Sequence, residues 1–486
     1  MAPHNRRQFI QHAAGTLAAL GTYATAVGST DTNAREAGTK AVDPFGAEAI
    51  HSLASKIDGH LVTPDQPEYE LGRLVFNRAF DRHPALIMYC ASASDVARAL
   101  EFAQYQNIEI AVRGGGHNRA GFSSCDNGLV LDLSKMNQVT VDARRRIARA
   151  EGGALTINLD AATQRLGLAT TAAGCPAVGL AGLTLGGGEG LLMSKYGAAC
   201  DNLISAQMVT VDGQQIRVSH DTNPELFWAI RGGGGNFGVV TALEFRLYPL
   251  RDVLAGTLVY PKGQIPELLQ AFAKFVSVAP DEMNVVGQVV SSSEGAHFQM
   301  LVCHCGEARR GNGLLASLRS LKPQHDDIRT MPYLQANATI NPAAPAAHFQ
   351  TNVFIPELSA AAIDTIVTAF SWAPLNTRAF IVPFYGAITR VGLDDTAFPM
   401  RAFGFEVDVM GRWADDPAKL RTIEWVKRLR DSLQPFSKGM YVNQLGETSE
   451  KLVRAAYGTH YRRLAEVKKM YDPKNVLRLN QNIEPA

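Results

Sequence analysis

The sequence has little of several features that would place it in a special class of protein. Only six of its 486 residues are cysteine, too few for a framework of disulfide bonds at this length. Its formal charge of +1 argues against nucleic acid or another polyanion as a partner. No apolar run makes a good transmembrane helix, so we expect no stable membrane anchor. The length instead predicts an ordinary globular protein of two or three domains.

Two nucleotide-binding motifs and a zinc motif are also missing. No G-x-x-x-x-G-K-[ST] sequence occurs, which argues against a P-loop NTPase, and "GGGEG" lacks the spacing of the dinucleotide fingerprint. Cys303-His304-Cys305 looks like a metal motif, but a strand would point the histidine away from both cysteines. Because structural zinc spacing is absent as well, we predict no metal site.

The N-terminal segment has the order of an export signal. Arg6-Arg7 precede Phe9-Ile10 and a weakly apolar run, and Ala24-Thr25-Ala26 offers a cleavage site. This order predicts a twin-arginine signal and linker over residues 1–40, with the twin-arginine export machinery as a partner. The protein would then be periplasmic or secreted and exported in its folded state. The alternative is a disordered basic leader.

Glycine is concentrated in three clusters, "RGGGH" (113–117), "GLAGLTLGGGEG" (179–190) and "RGGGGNFG" (231–238). A single cluster is most often a tight turn. Glycine also lets the backbone approach a ligand closely, and successive N–H groups in a turn form an anion-binding concavity. Three clusters in one region therefore predict a long, diphosphate-containing cofactor that several loops contact.

The hydrophobic pattern predicts an α+β protein. Residues 84–112 have the pattern strand, helix, strand, and Asp212-Gly213 marks the turn of a hairpin. After about residue 251, amphipathic helices alternate with strands such as "RAFGFEVDVMGRW". This alternation predicts an antiparallel sheet with helices on one face. The segment before Asp472-Pro473 predicts a C-terminal amphipathic helix.

Two reactive side chains lie beside these clusters. His117 directly follows three glycines, and Cys175 lies in "AAGCPAVGLAGL". The common alternatives are a turn histidine bonded to the backbone and a buried thiol. A metal shared by both residues lacks evident third and fourth ligands.

Four long segments resemble one known family. They are "RGGGHNRAGF", "GCPAVGLAGLTLGGGEGLLMSKYGAACDNL", "LFWAIRGGGGNFGVVTALEFRLYP" and the C-terminal "YVNQLGE…YGTHYRRLAEVKKMYDPKNVLRLNQNI". In sequence and order they are similar to the berberine bridge enzyme-like FAD-linked oxidases of the vanillyl-alcohol oxidase superfamily. The resemblance implies a two-part FAD-binding domain over 41–250 and an antiparallel-sheet substrate domain over 251–440. Residues 441–486 would return to the FAD-binding domain.

The resemblance implies that FAD is held by two covalent bonds. In the family, the histidine after the glycines binds the flavin 8α-methyl group, and that position is His117. Many members bind flavin C6 through a cysteine, and that position is Cys175. Val178 occupies a position where small residues accompany access of oxygen to the flavin. This implies the bicovalent type and favours an oxidase.

Further cofactor contacts carry over from the family residue by residue. They surround the diphosphate, the ribityl chain and the ring. The implied residues are Arg113, Gly114, Gly115, Gly116, Asn118, Gly121, Gly179, Gly182, Leu183, Gly186, Gly187, Gly188, Asp201, Asn202, Asn236, Gly238, Val239, Tyr441, Asn443, Asn480, Gln481 and Asn482.

The predicted catalytic base is a carboxylate. Oxidation of an alcohol or amine needs a group that takes the O–H or N–H proton. By resemblance this is Asp408, and Glu406 is its rival because strand alternation places both on one face. Burial beside a flavin would raise the pKa of such a carboxyl. Tyr441 is the alternative base or a hydrogen-bond donor to the substrate, and a solvent-facing acidic pair is the alternative without function.

The expected activity is an FAD-dependent oxidase. It would take hydride from a small-molecule CH–OH or CH–NH donor, such as a sugar, a secondary-metabolite alcohol or an amine. It would then be reoxidised by O₂ and release H₂O₂. One alternative is a flavin dehydrogenase with a quinone or cytochrome acceptor. Another is a flavin-binding protein without turnover.

Overall fold

Two sheets are built from the first half of the chain in the computed structural model, which describes residues 45–339 and 344–486. The predicted export signal lies outside these residues. The four-stranded sheet contains β1 (His60–Val62), β2 (Leu86–Tyr89), β3 (Ile110–Arg113) and β4 (Leu129–Asp132). Its order is β1-β2-β4-β3, and β4 pairs in parallel with both β2 and β3.

The second sheet is antiparallel and follows directly along the chain. Its region contains β5 (Val139–Asp142), β6 (Ile147–Glu151), β7 (Leu168–Ala169), β8 (Leu203–Val209), β9 (Gln215–Ser219), β10 (Val239–Arg246) and β11 (Tyr248–Pro249). The sheet order is β5-β6-β10-β8-β9, with β7 and β11 as a separate pair. The predicted hairpin is confirmed as β8 and β9, and Gly213 in its turn has φ +82.

The third sheet is large and antiparallel. Its strands are β12 (Asp252–Val259), β13 (Met283–Ser292), β14 (Gly295–His304), β15 (His325–Asp326), β16 (Arg329–Pro332), β17 (His348–Ile355), β18 (Thr377–Phe384) and β19 (Gly404–Arg412). The order is β15-β12-β14-β13-β18-β19-β17, and β16 pairs with β12. Strand β19 lies between β18 and the edge strand β17, and it pairs Asp408 with Phe380 on one side and with Asn352 on the other.

Helices cover one face of this large sheet. The helices of four or more residues are Ala47–Ala54, Tyr69–Gly72, Ala93–Tyr105, Thr156–Gln164, Leu180–Leu185, Met193–Tyr196, Pro224–Ala229, Ile265–Val276, Ala308–Arg319, Tyr333–Thr339, Ala360–Phe370, Asp416–Leu433, Glu450–Tyr457 and Tyr461–Tyr471. Phe272, Ile366 and Trp425 from three of them share one buried core with the sheet. The α+β class and the helix-covered sheet are therefore confirmed.

Local signals in the sequence explain where several helices begin. The side chain of Ser92 accepts a hydrogen bond from the backbone N–H of Asp95, as predicted for a cap. Asp415 caps the helix Asp416–Leu433 in the same way, with Pro417 in its first turn. The C-terminal helix ends at Tyr471, just before Asp472-Pro473, as predicted.

The division into domains stays a prediction, because the described residues pack together as one compact unit. Asp408 lies on the other face of the large sheet, opposite its neighbours Val407 and Val409, which share the buried core with the covering helices.

Candidate active site

The glycine segments and the face of the large sheet that carries Asp408 line a cavity of about 390 Å³. This volume is within the range of small-molecule sites. The predicted residues that line it are Gly114, Gly115, Gly116, His117, Asn118, Cys175, Gly179, Gly182, Leu183, Gly238, Val239, Asp408, Tyr441, Asn443, Asn480 and Gln481. Side chains that are far apart in sequence therefore meet in one space.

The imidazole of His117 lines this cavity without using its nitrogens in hydrogen bonds to the described residues. Among the described residues, neither Nδ1 nor Nε2 has a hydrogen-bond partner, and the ring stacks on Phe76 with centroids 3.6 Å apart. Burial, then the charges of Arg119 and His348, hold the pKa of His117 well below its ordinary value. The imidazole is therefore neutral at neutral pH and nucleophilic. It makes no backbone bond, unlike an ordinary turn histidine.

The first two glycine segments cross each other at Gly115 and Gly179. A Cβ atom on Gly115 would lie only 2.6 Å from the Cα of Gly179. Gly116 has φ +67, a left-handed conformation that favours glycine. The crossing thus requires residues without side chains, and it leaves bare backbone on the cavity wall.

Cys175 reaches the same cavity from a turn that the neighbouring helix fixes. The backbone N–H groups of Thr156 and Ile157 donate to the carbonyls of Val178 and Pro176 at 2.9 and 3.1 Å. Cys175 itself is buried. His117 and Cys175 therefore approach one space from two crossing segments.

Tyr441 has a hydroxyl oxygen that accepts two hydrogen bonds. The backbone N–H of Gly188 and Nδ2 of Asn443 both donate to it at 2.9 Å. Burial, then the nearby charge of Glu189, raises the pKa of Tyr441 well above its ordinary value. The hydroxyl therefore keeps its proton, so this geometry favours a hydrogen-bond donor over a base.

Asp408 is a buried carboxyl that opens into the cavity. Its Oδ2 accepts a hydrogen bond from Nε2 of Gln350 at 2.6 Å, and its Oδ1 has no partner among the described residues. Burial raises the pKa of Asp408 to about 7, although Arg119 and Gln350 oppose this rise. A carboxyl with this pKa can accept a proton at neutral pH.

Glu406 shares its buried surroundings with Glu189. No N–H donor from the described residues reaches either oxygen of Glu406, which is 0% exposed. Burial, then the charges of Glu189 and Asp408, raises the pKa of Glu406 well above its ordinary value. Burial also raises the pKa of Glu189 to about 8, while a hydrogen bond with Glu406 lowers it. Two ionised carboxylates have no hydrogen to donate. The hydrogen bond between Glu189 and Glu406 therefore requires a proton on one of them.

These positions rule out the solvent-facing acidic pair, since Glu406 and Asp408 are both buried. They also separate the two rivals for the base. Asp408 lines the cavity, whereas Glu406 lies behind Glu189 and does not.

Other predicted cofactor residues do not line the cavity and instead support its walls. They are Arg113, Gly121, Gly186, Gly187, Gly188, Asp201, Asn202, Asn236 and Asn482. Each was predicted from its place in a family motif, and a motif contains supporting positions as well as contact positions.

Arg113 and Asp201 show this supporting role through buried charges. The guanidinium of Arg113 donates to the carbonyls of Ser123 and Gly72 and lies 3.4 Å from Asp132. Asp201 forms a two-pronged ion pair with Arg401 at 2.7 and 2.8 Å. Each of these two charges therefore lies beside an opposite charge inside the protein.

Amides and glycines complete the support. Asn202 donates to the carbonyls of Tyr196 and Ala198, while Asn236 donates to those of Gly233 and Gln481. Gly186, Gly187 and Gly121 leave room for Asn443, Phe398 and Phe80 in that order, since a Cβ atom on any of them would overlap the neighbour. Asn482 is half-buried beside the cavity without lining it.

A buried ion pair anchors the C-terminal tail to the third glycine segment. Nζ of Lys468 donates to Oδ2 of Asp472 at 2.7 Å and to the carbonyls of Asn236 and Leu477 at 2.8 and 3.0 Å. Asp472 also accepts the backbone N–H groups of Val476 and Leu477. This network positions Asn480 and Gln481 at the cavity.

The predicted site residues do not include eight polar residues that line the cavity: Arg119, Ser123, Glu189, Asn284, Gln350, Arg378, Arg412 and Gln444. Strand alternation alone could have found Arg412, four residues after Asp408 on β19. Gln350 and Arg378 lie on β17 and β18, and only the pairing of these strands with β19 places them near Asp408. The other residues reach the cavity from segments that are distant in sequence.

Residues 45–339 and 344–486 contain neither a membrane-spanning helix nor a metal-binding cluster. No helix in these ranges is both long and apolar enough to cross a membrane. No group of three or more His, Cys, Asp or Glu side chains is arranged to bind a metal ion.

The cavity fits FAD on its own features. His117 offers a neutral ring nitrogen without a partner, and the crossing of Gly115 and Gly179 leaves the backbone of both segments bare. These are the groups that a covalent flavin and its diphosphate would need.

Comparisons with known proteins agree with this fit. Residues 84–219 match the family model of an FAD binding domain, and residues 440–484 match that of berberine and berberine-like proteins. An FAD-linked oxidoreductase of Bacillus subtilis is 32% identical over 89% of this chain and 98% of its own length. The (R)-6-hydroxynicotine oxidase of Paenarthrobacter nicotinovorans is 31% identical over 88% and 97%.

Solved structures show the same fold. The 6-hydroxy-D-nicotine oxidase of Arthrobacter nicotinovorans has a TM-score of 0.81 and 30% identity, covering 88% of this chain and 98% of its own. The berberine bridge enzyme of Eschscholzia californica has a TM-score of 0.80 at 21% identity, covering 90% and 99%, which supports the fold alone. This chain therefore belongs to the berberine bridge enzyme-like family of FAD-linked oxidoreductases.

Proposed function

We propose that the protein is an FAD-dependent oxidase that acts on a CH–OH or CH–NH group of a small molecule. The observation that carries the proposal is Asp408, a carboxyl with a pKa of about 7 that lines the same cavity as His117 and Cys175. O₂ is the proposed electron acceptor, and H₂O₂ the second product. A relative that is 31% identical bears the name (R)-6-hydroxynicotine oxidase. Because a nicotine is an amine, this name supports a CH–NH substrate alongside an alcohol.

In the proposed reaction, Asp408 accepts a proton from the substrate and Tyr441 donates a hydrogen bond to it. Bound FAD supplies the hydride acceptor of the reaction. The vacant Oδ1 of Asp408 takes the proton from the substrate O–H or N–H, and Gln350 keeps the carboxylate oriented through Oδ2. Tyr441 donates its hydroxyl proton to the substrate heteroatom, because its oxygen already accepts two hydrogen bonds.

We propose that His117 and Cys175 each form a covalent bond to FAD. Each bond replaces one hydrogen of the flavin and one of the protein, and O₂ accepts the two electrons and two protons released. The links hold the ring in one orientation toward Asp408, which removes translational and rotational freedom.

Denaturation in acid tests the links without using activity. The wild-type polypeptide should retain its yellow colour and the added mass of one FAD. The single variants His117→Ala and Cys175→Ala should each retain the flavin through the remaining link, and the double variant should lose it. Flavin that washes out of the denatured wild type would refute covalent attachment.

Peroxide release tests the oxidase. Alcohols and amines are screened with the loaded protein, and the chemically reduced protein is then mixed with air-saturated buffer. Fast reoxidation with peroxide supports the oxidase. Slow reoxidation together with turnover on a quinone would instead identify a dehydrogenase, and no reduction by any donor would identify a flavin-binding protein.

We also propose that the protein is exported folded by the twin-arginine route. The proposal rests on Arg6-Arg7 and the apolar run after them. Fractionation of cells expressing the full chain should find it outside the cytoplasm, and Arg6→Lys with Arg7→Lys should retain it inside. Export that is unaffected by this double change would contradict the proposal.

A further inference from the structure

Two arginines at the cavity have no counter-ion. In residues 45–339 and 344–486, neither Arg378 nor Arg412 forms an ion pair or a side-chain hydrogen bond, and the buried Nε of each lacks any partner. Both side chains are half-buried and line the cavity. Burial lowers the pKa of Arg378, and the positive charge of Arg412 lowers it further. A desolvated charge of this kind is costly unless a partner compensates for it.

The arginines elsewhere in the structure illustrate the difference. Arg401 has its two-pronged partner in Asp201, and Arg463 has one in Glu225 at 2.8 to 3.0 Å. Arg113, which is also buried, lies beside Asp132. Arg401, Arg463 and Arg113 each have a carboxylate partner within the protein, whereas the two cavity arginines have none among the described residues. An anionic partner for Arg378 and Arg412 would therefore come from a bound molecule.

The register of the large sheet places both arginines on the face that carries Asp408. Arg378 on β18 pairs with Met410, and Asp408 and Arg412 flank Met410 at alternate positions on β19. Alternate residues on a strand are roughly 7 Å apart, so Arg378 lies level with a position one such step from Asp408, and Arg412 lies two steps from it. A group bound there would belong to the same molecule that Asp408 deprotonates.

The other charged groups facing this region do not cancel the two arginines. Arg119 lies near Asp408, and the two attract each other. His348, which pairs with Arg412 across the strands, has its pKa lowered to about 3, first by burial and then by Arg119, so it is neutral. Glu189 lines the cavity and Glu406 does not, and burial raises the pKa of both carboxyl groups, which favours their neutral forms. The two guanidinium groups therefore remain as net positive charge.

We propose that Arg378 and Arg412 bind a carboxylate of the substrate, so that the enzyme oxidises a carboxylate-bearing alcohol or amine. A guanidinium offers paired N–H donors that match the two oxygens of a carboxylate. The carboxylate would lie several bonds away from the carbon that is oxidised, as in a uronic acid or a hydroxylated aromatic acid. This inference rests on the proposed function and deepens it by naming the substrate class.

Binding of matched acid and neutral probes to the flavin-loaded enzyme tests the inference by calorimetry. The pairs are benzoate with benzamide and glucuronate with glucose. At least one acid should bind about tenfold or more tightly than its neutral partner, which is the scale of a hydrogen-bonded charge. Arg378→Gln with Arg412→Gln should remove this preference, whereas Arg378→Lys with Arg412→Lys should keep part of it.

Arg462→Gln is the matched control, because that side chain is 92% exposed and away from the cavity. It should leave every binding constant unchanged. The inference is wrong if no acid binds more tightly than its neutral partner, or if the double Gln variant keeps the preference. It is also wrong if that variant loses its flavin, because the arginines would then serve the cofactor.

The same variants separate this inference from the proposed oxidase. On a carboxylate substrate, the double Gln variant should raise KM about tenfold or more while kcat changes little. Preferential acid binding without peroxide release would refute the oxidase and leave the arginine site. Peroxide release from neutral substrates alone would support the oxidase and refute the carboxylate site at the two arginines.

Discussion

Single residues at this cavity owe their chemistry to burial. Asp408, Glu406 and Glu189 are ordinary carboxyl groups in the sequence, and desolvation raises the pKa of each of them. The exposed Asp221, whose side chain is 91% exposed, lacks such surroundings. Their positions in the fold therefore decide which carboxyl accepts a proton and which one retains it.

The ionisation of Asp408 should determine how kcat/KM depends on pH. A base with a pKa of about 7 is protonated and inactive at lower pH, so log kcat/KM should rise with pH and level off above about 7. Asp408→Asn should lower kcat/KM by about 10²- to 10⁴-fold and abolish this rise. Steady-state rates between pH 5 and pH 9 measure both effects, with Asp221→Asn as the unchanged control. A variant that keeps the pH profile of the wild type would exclude Asp408 as the base.

Glu406 should make stability depend on pH. A carboxyl whose pKa is raised by folding stabilises the fold while protonated, and this contribution is lost as pH rises through the raised pKa. Glutamine does not titrate and can donate to Glu189. Glu406→Gln should therefore exceed the wild type in unfolding free energy by about 1–3 kcal/mol at pH 9, the scale of an unsatisfied buried group. The difference should shrink toward pH 5 in urea titrations, and an equal difference at both pH values would contradict the shared proton.

Elements of the fold bring the site together through their ends and crossings. The glycine segments meet where Gly115 passes Gly179, and the C-terminal helix delivers the tail that carries Asn480. Both arrangements use groups that are unremarkable within their own segments. Their function arises from contact with a segment that is distant in sequence.

The ion pair at the end of the C-terminal helix should be a major contribution to stability. Lys468 and Asp472 are both 0% exposed in their side chains, so removing one partner leaves a buried charge. Asp472→Asn should lower the unfolding free energy by about 3–5 kcal/mol. The control Glu466→Gln breaks an exposed pair with Arg462 and should cost less than about 1 kcal/mol. Equal losses in the two variants would show that burial does not decide the strength of the pair.

The local elements were the part of the fold that could be predicted best. The Ser92 cap, the hairpin at Asp212-Gly213 and strand β19 follow from patterns within a few residues, and the structure contains all three. The pairing of β18 with β19 could not be predicted, because no local pattern specifies which strand lies beside which. Arg378 was missed for that reason.

The thermal stability of the whole protein should show whether FAD is covalently attached. A ligand that binds only the native state raises stability with its concentration, by about 2.7 kcal/mol at one hundred times Kd. The double variant His117→Ala, Cys175→Ala should therefore show a Tm that rises with added FAD. Under the proposed covalent attachment, the wild type would already hold its flavin and should not respond. Thermal unfolding of both proteins with and without FAD measures this, and a response of the wild type would contradict permanent attachment.

The sequence by itself determined the fold class and the family, and it predicted His117 and Cys175 as the links to FAD. These depend on periodicity, on glycines that only a close approach requires, and on motifs whose order survives in the linear chain. Tertiary structure alone decided that Asp408 and not Glu406 lines the cavity and that the hydroxyl oxygen of Tyr441 accepts two hydrogen bonds. It also decided that Arg378 and Arg412 have no counter-ion among the described residues. Burial and partners set the charge of a side chain, and both are properties of residues that meet only after the chain has folded.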